Sequence, residues 1–198
     1  RVDTILTKDP DNVEALILLA GLHAQDKNLF ESAAVFEKVI ELDSRETRGY
    51  LGLARGLAAQ GKFDEAEEIF KQAIAIDPSA MQPRLALFNY YVAKKEYERA
   101  ESEIKEAISL NPDNADLYIT LGNFYYGRRD TERAESAYQN ALEAAPQEIK
   151  PYMVTAGFYE AVGDEDKALA MYQKALDMQP EDIRIMHAIA RHHYKNRD

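Results

Sequence analysis

Apolar side chains recur at three- and four-residue steps over residues 50–59, and again over 64–76. That spacing marks one face of a helix, so the stretch predicts two amphipathic helices. Between them lies Gln60-Gly61-Lys62, a turn, and the second pattern stops at Asp77-Pro78. The same order of helix, turn, helix and stop returns along the whole chain. Pro78, Pro112, Pro146 and Pro180 stand 34 residues apart, with Ser44 and Pro10 in the same slot one and two periods earlier. Proline there ends one helix and sets the turn into the next. A column of small residues keeps step through Ser32, Ala66, Ala100, Ala134 and Ala168. A column of large ones follows through Phe36, Phe70, Ile104, Tyr138 and Tyr172. Small residues are needed where two helices cross closely, and the bulky residue four positions on fills the space beside the crossing.

These columns predict an all-α fold, an α-α superhelix (solenoid) of tandem antiparallel helix pairs with a 34-residue period. The expected division is a half repeat at 1–12, full repeats at 13–46, 47–80, 81–114, 115–148 and 149–182, and the first helix of a further repeat at 183–198. First helices carry apolar residues at helical spacing: Leu16, Leu19 and His23; Tyr118, Leu121 and Tyr125; Tyr152, Phe158 and Tyr159. Gly61 and Gly163 occupy the place where a first helix turns back, which suits a left-handed residue. Lys27, Lys95 and Arg129 hold that slot elsewhere, so those turns are expected to be either more strained or differently shaped. Pro83 and Pro151 fall in first turns, where proline costs little. Each helix pair can bury its apolar stripe only against its neighbours, so stability is a sum of repeat and nearest-interface contributions.

Composition narrows the function. A formal charge of -11 argues against a nucleic-acid binder, because phosphate contact needs a basic face. The absence of cysteine removes disulfides and thiolate zinc sites. No apolar run approaches ~18 residues, so no transmembrane helix or direct membrane insertion is expected. Arg1-Val2-Asp3-Thr4-Ile5-Leu6 reads as the tail of a helix rather than a signal peptide, which implies a longer natural chain. Paired acids such as Asp64-Glu65 and Asp164-Glu165-Asp166 open second helices, where they complement the helix dipole.

Candidate chemistry is sparse. His187, His192 and His193 are spaced five and six apart, off the i, i+4 step that places two ligands on one helix face. His23 and His193 share a column with Leu57, Tyr91, Tyr125 and Tyr159, and are expected to pack between helices. Gly49-Tyr50-Leu51-Gly52 lies within a helix and is a packing feature. There is no nucleophile beside a base and no glycine-rich phosphate loop. No enzyme activity, metal or other cofactor is expected. Arg184, Arg191, Lys195 and Arg197 make the last unit locally basic, and Ile185, Met186 and Ile189 give it an apolar side, so self-association through the end helices is a further expectation.

The columns resemble the tetratricopeptide repeat family. Repeat 115–148 carries its pattern most fully, with Tyr118, Leu121-Gly122, Tyr125, Ala134, Tyr138 and Pro146. Repeat 81–114 departs from it, with Arg84 in an aromatic position and Phe88 in a small one, and a local shift in helix packing is expected there. The resemblance implies a right-handed superhelix whose first helices line a concave groove that holds a peptide or protein segment. Carried onto this chain, the groove floor is Ile17, Leu51, Leu85, Ile119 and Met153, flanked by Arg48, Arg55, Asn89, Asn123, Tyr126, Lys150 and Glu160. An asparagine amide both donates and accepts, matching a peptide main chain. Asn89 and Asn123 are therefore either peptide grips or ties between helices. Asn89, Asn123 and Lys150 also fall in three places of the clamp with which one subgroup holds chaperone carboxylates. Leu85 and Val154 replace its other two cations, which disfavours that ligand. The implied function is a non-catalytic adaptor that assists assembly of a larger complex. Its alternatives are an accessory substrate-recruiting domain of a longer enzyme or membrane-export machine, and a structural spacer.

Overall fold

A computed structural model describes residues 2–195, which form helices joined by short turns, with no strand among the described residues. The helices are α1 (Val2–Lys8), α2 (Val13–Gln25), α3 (Leu29–Leu42), α4 (Thr47–Ala59), α5 (Phe63–Ile76) and α6 (Met81–Lys94), then α7 (Tyr97–Leu110), α8 (Ala115–Gly127), α9 (Thr131–Ala144), α10 (Ile149–Val162), α11 (Glu165–Met178) and α12 (Ile183–Lys195). The even-numbered helices start at Val13, Thr47, Met81, Ala115, Ile149 and Ile183, each 34 residues after the last. The fold is an all-α helical-repeat solenoid. It divides within α7 into two compact units, residues 1–103 and 104–198.

The turn chemistry explains the regular reversals. Lys27, Lys95 and Arg129 have φ of 63°, 62° and 63°, beside 82° and 81° for Gly61 and Gly163. All five turns therefore share the left-handed shape, and the three charged residues carry the strain that a Cβ brings there. Starts are capped locally: Asn12, Asn114, Asp130 and Asp164 each accept a backbone N–H of the following helix.

In the first unit α2 packs on α3 and α4 on α5, with α3 against α4 and α5 against α6. Crossings are close. Ser32 Oγ donates to the Ala20 carbonyl at 2.9 Å, which satisfies a fully buried hydroxyl. A Cβ on Gly52 would lie 2.2 Å from the Phe36 ring and one on Gly49 2.9 Å from Val39, so these glycines let α4 meet α3. Phe88 is buried within α6, which continues unbroken around it. In the second unit α8 packs on α9 and α10 on α11, with α10 also meeting α9 and α12 meeting α11. Gly122 repeats the close approach, its absent Cβ 2.7 Å from the Tyr138 ring. Tyr50 and Tyr152 each donate their hydroxyl to a carbonyl six residues back, at Ser44 and Pro146, pinning the turn that precedes each helix.

Candidate functional site

The predicted groove residues lie on the even-numbered helices. In the first unit Ile17 and Leu85 are half-buried, while Leu51 is only 7% exposed and offers little surface. Arg48, Arg55 and Asn89 are exposed. In the second unit Ile119 is 6% exposed and belongs to a core cluster with Ala115 and Ala141, packed by Tyr118 and Val154. Met153 is half-buried beside Ala156, Tyr172 and Ala188. Asn123, Tyr126 and Lys150 are exposed, and Tyr126 stacks edge-on to Phe158 with ring centroids 5.7 Å apart. The surface left open is therefore mainly polar, with apolar patches at Ile17, Leu85 and Met153 rather than a continuous apolar floor.

Two of the flanking cations are already engaged across a repeat. Arg48 Nη1 donates to Glu14 at 3.0 Å, Nη2 reaches the other Glu14 oxygen, and Nε donates to Glu46 at 2.9 Å. Hydrogen bonds from Arg48 hold the carboxyls of Glu14 and Glu46 below their ordinary range, and raise the guanidinium in turn. Lys150 Nζ lies 2.7 Å from Asp116. Both pairs join residues at the same helix position one period apart. An alternation of sign at 34-residue spacing was the available signal, and composition alone does not reveal it.

Asn123 and Asn89 differ. The Tyr138 hydroxyl donates to Asn123 Oδ1 at 2.7 Å, so that carbonyl ties α8 to α9 and the amide NH₂ is left to face outward partners. Asn89 makes no side-chain hydrogen bond among the described residues and is exposed. Burial pushes the Tyr138 hydroxyl up to about 12, so it remains a donor.

The histidines correct one expectation. His193 is exposed rather than packed between helices, His23 is half-buried, and His192 is the buried one. His192 takes the column of Tyr90, Phe124 and Phe158. Its Nδ1 lies 3.2 Å from Glu160 Oε1 and 3.3 Å from Glu165 Oε2, with its ring edge-on to Tyr172. Glu160, expected on the groove rim, thus points its carboxylate into the α10–α12 contact, where Arg191 also reaches it at 3.5 Å. Among the described residues no group of three or more His, Cys, Asp or Glu is placed to hold a metal ion. No helix among them is long and apolar enough to cross a membrane. Lys195 and Arg197 of the basic terminal group lie outside the residues whose side chains are described.

Helix pairs stepping at 34 residues, with alanine crossings and a surface of exposed polar groups on the first helices, define the class as a helical-repeat protein. The family described as "Cilia and flagella-associated protein 70 middle TPR-like domain" matches residues 50–179, well over half of the chain, and the chain belongs to it. Among solved structures it is similar to YrrB, described as "a TPR protein with an unusual peptide-binding site", at TM-score 0.53 and 21% identity over 95% of this chain and 97% of that one. It is similar also to TTC0263, a thermophilic TPR protein of Thermus thermophilus, at TM-score 0.58 and 24% identity over 92% and 99%. The MamA protein matches at TM-score 0.59 and 22% identity over 87% and 94%. At these identities the likeness is one of fold. No curated protein matches the chain.

Proposed function

We propose that this chain is a non-catalytic scaffold that holds a peptide segment or a protein subunit on the face built by its first helices, and so brings together parts of a larger complex. The observation that carries the reading is a set of open polar groups on the first helices. Most charges there are paired, as Arg48 is with Glu14 and Lys150 with Asp116. Arg55, Asn89 and the Asn123 amide are exposed, and the same helices carry the part-exposed apolar side chains Leu85 and Met153. Open donors beside small apolar patches suit an extended or helical segment, whose main chain needs partners and whose side chains need shallow seats. Membership of a tetratricopeptide-like family supports the same reading, because such families are generally non-catalytic. The likeness in fold to YrrB, a TPR protein with an unusual peptide-binding site, points the same way.

The test is selection of binders from a random peptide library displayed on phage, followed by titration of a selected peptide. Replacing Asn89 and Asn123 together by alanine is expected to weaken binding by ~1–3 kcal/mol if the amides are buried and paired in the complex. Circular dichroism checks that the variant is folded, since Asn123 also accepts from Tyr138. A selected peptide that binds this variant and a Leu85→Glu variant as tightly as the parent would remove the first-helix face from the reading.

A further inference from the structure

At the start of each first helix one position alternates in sign within each unit, Glu14 then Arg48 in the first, Asp116 then Lys150 in the second. The alternation ends at Lys150, because the next residue in that column is Arg184. Two cations stand in succession here, whereas the earlier charged neighbours were of opposite sign and Gln82, between Arg48 and Asp116 in the column, is neutral. Arg184 finds its carboxylate locally instead, with Nη2 2.6 Å from Asp182, and its side chain stays 86% exposed.

A cleft of about 460 Å³ opens beside it between α10 and α12, lined by Met153, Arg184, His187, Ala188, Ala190 and Arg191. Two arginines and a histidine stand around an apolar base, and no carboxylate lines the cleft. Asp182 and Glu160, the partners of Arg184 and Arg191, are outside its lining. The Arg191 side chain is 68% exposed. In a chain of net charge -11, this lining presents two guanidinium groups and no carboxylate to the cleft, their partners Asp182 and Glu160 standing outside it. Exposed guanidinium groups at a cleft favour anionic ligands over cationic ones. Met153 and the two alanines add a shallow apolar seat, which a free inorganic anion would not use. The adjoining cleft, of about 640 Å³, shares Met153 and Arg184 but is lined also by Lys150, Glu148 and Asp182, so its charge is mixed and the carboxylate-free lining belongs to the α10–α12 cleft.

We propose that the α10–α12 cleft binds an acidic peptide segment, with carboxylates set against Arg184 and Arg191 and an apolar side chain seated on Met153. This rests on the reading of the chain as a peptide-holding scaffold, and names the class of segment for one site in the second unit. Guanidinium groups suit the role, since a planar fork pairs a carboxylate through two hydrogen bonds. His187 adds a donor at the cleft wall.

The test is fluorescence anisotropy with three labelled short peptides of equal length. One alternates glutamate and leucine, one has lysine for glutamate, and one has glutamine. The acidic peptide is expected to bind at least ~10-fold tighter than the other two, with affinity falling as salt rises. Arg184→Glu with Arg191→Glu is expected to cost that peptide at least ~10-fold in affinity, and Met153→Ser a smaller factor. Arg184 is exposed and its substitution leaves the helix packing intact, so Arg184→Glu alone serves if the double variant fails to fold. Equal binding of the three peptides, or an unchanged affinity in the charge-reversed variants, would overturn the cleft. A library-selected peptide that still binds those variants would then leave the wider scaffold reading standing. If neither the acidic peptide nor any selected one is held, both readings fall.

Discussion

Arg99 on α7 holds its guanidinium carbon 4.2 Å from the centre of the Tyr91 ring on α6. From there Nη1 donates to Glu67 at 2.9 Å, on the second helix of the preceding repeat, and to Glu96 at 2.8 Å. A cation between an aromatic face and a carboxylate is attracted by both, and the ring shields one side of it from water. The second unit has the same construction. Lys167 sits 5.0 Å from the Tyr159 ring centre and 2.9 Å from Glu135, whose carboxylate also accepts from the Tyr159 hydroxyl. Arg133 over Tyr125, at 4.6 Å, holds the equivalent place. The repeat thus carries a polar seam outside its apolar core, and this seam joins one helix pair to the next.

That seam makes acid stability depend on Glu67. Hydrogen bonds from Arg99 and then Lys71 hold its carboxyl down at about 2, against an ordinary 4.5. A carboxyl depressed in the folded state stabilises the fold above the unfolded value, and that contribution disappears as pH falls from about 4.5 toward 2. Arg99 is nearly half exposed, so solvent screening reduces the contribution to about 1 kcal/mol. In urea titrations from neutral to acid pH, Glu67→Gln is expected to be less stable than the parent at neutral pH by that amount. The gap should narrow from about pH 4.5 and close only near and below about pH 2, where the folded parent's carboxylate also protonates. A gap that stays constant with pH would assign the loss to packing.

The period, the helix stops and the turns at Gly61 and Gly163 are legible in the sequence because each is fixed by sterics that one residue type satisfies, whereas the same left-handed shape at Lys27, Lys95 and Arg129 is not. Proline stops a helix, and Ala66, Ala134 or Ala168 permits a crossing, whatever the neighbours are. Surface pairings are less legible. Glu14–Arg48 and Asp116–Lys150 join residues one period apart, and only a column-by-column reading of charge exposes them. The burial of Leu51 and Ile119 depends on how tightly successive first helices approach, which the period does not specify. His192 was visible in the column of Phe124 and Phe158. A polar residue there becomes intelligible only once Glu160 and Glu165 are seen around its ring.

Thr155 stands in a column otherwise held by Leu19, Leu53, Leu87, Leu121 and Ile189. It is fully buried and its hydroxyl has no hydrogen-bond partner. A buried donor left unpaired costs about 1–3 kcal/mol, and valine keeps the shape without the hydroxyl. Thr155→Val is therefore expected to raise stability by about 1 kcal/mol, read as a higher urea midpoint with an unchanged slope. A loss of stability would mean that the hydroxyl is hydrated or paired in solution.

The three charged residues in left-handed turns give a second route to stabilisation. Glycine adopts positive φ without the steric cost that lysine or arginine bears, at the expense of a more flexible unfolded chain. Lys95→Gly and Arg129→Gly are each expected to gain about 0.5–1 kcal/mol, while Gly163→Ala loses about 1 kcal/mol. Calorimetry of the three variants checks the signs. A loss in Lys95→Gly would show that its ammonium contributes more at that turn than the backbone strain costs.

Gly52 and Gly56 lie one turn apart on α4 and should respond to alanine in opposite directions. Alanine is favoured over glycine inside a helix by about 1 kcal/mol when nothing obstructs its methyl. No atom lies within 4 Å of a Cβ built on Gly56, so Gly56→Ala is expected to stabilise by about that amount. At Gly52 the same methyl would stand 2.2 Å from the Phe36 ring, which is itself buried against α4. The ring must move or the helices must separate, and overpacking of this kind costs about 1–3 kcal/mol. Gly52→Ala is expected to lower the thermal midpoint, and Phe36→Leu in that background to recover part of the loss although it is destabilising alone. Strict additivity of the two substitutions would rule out the contact as the cause, since residues that touch must couple.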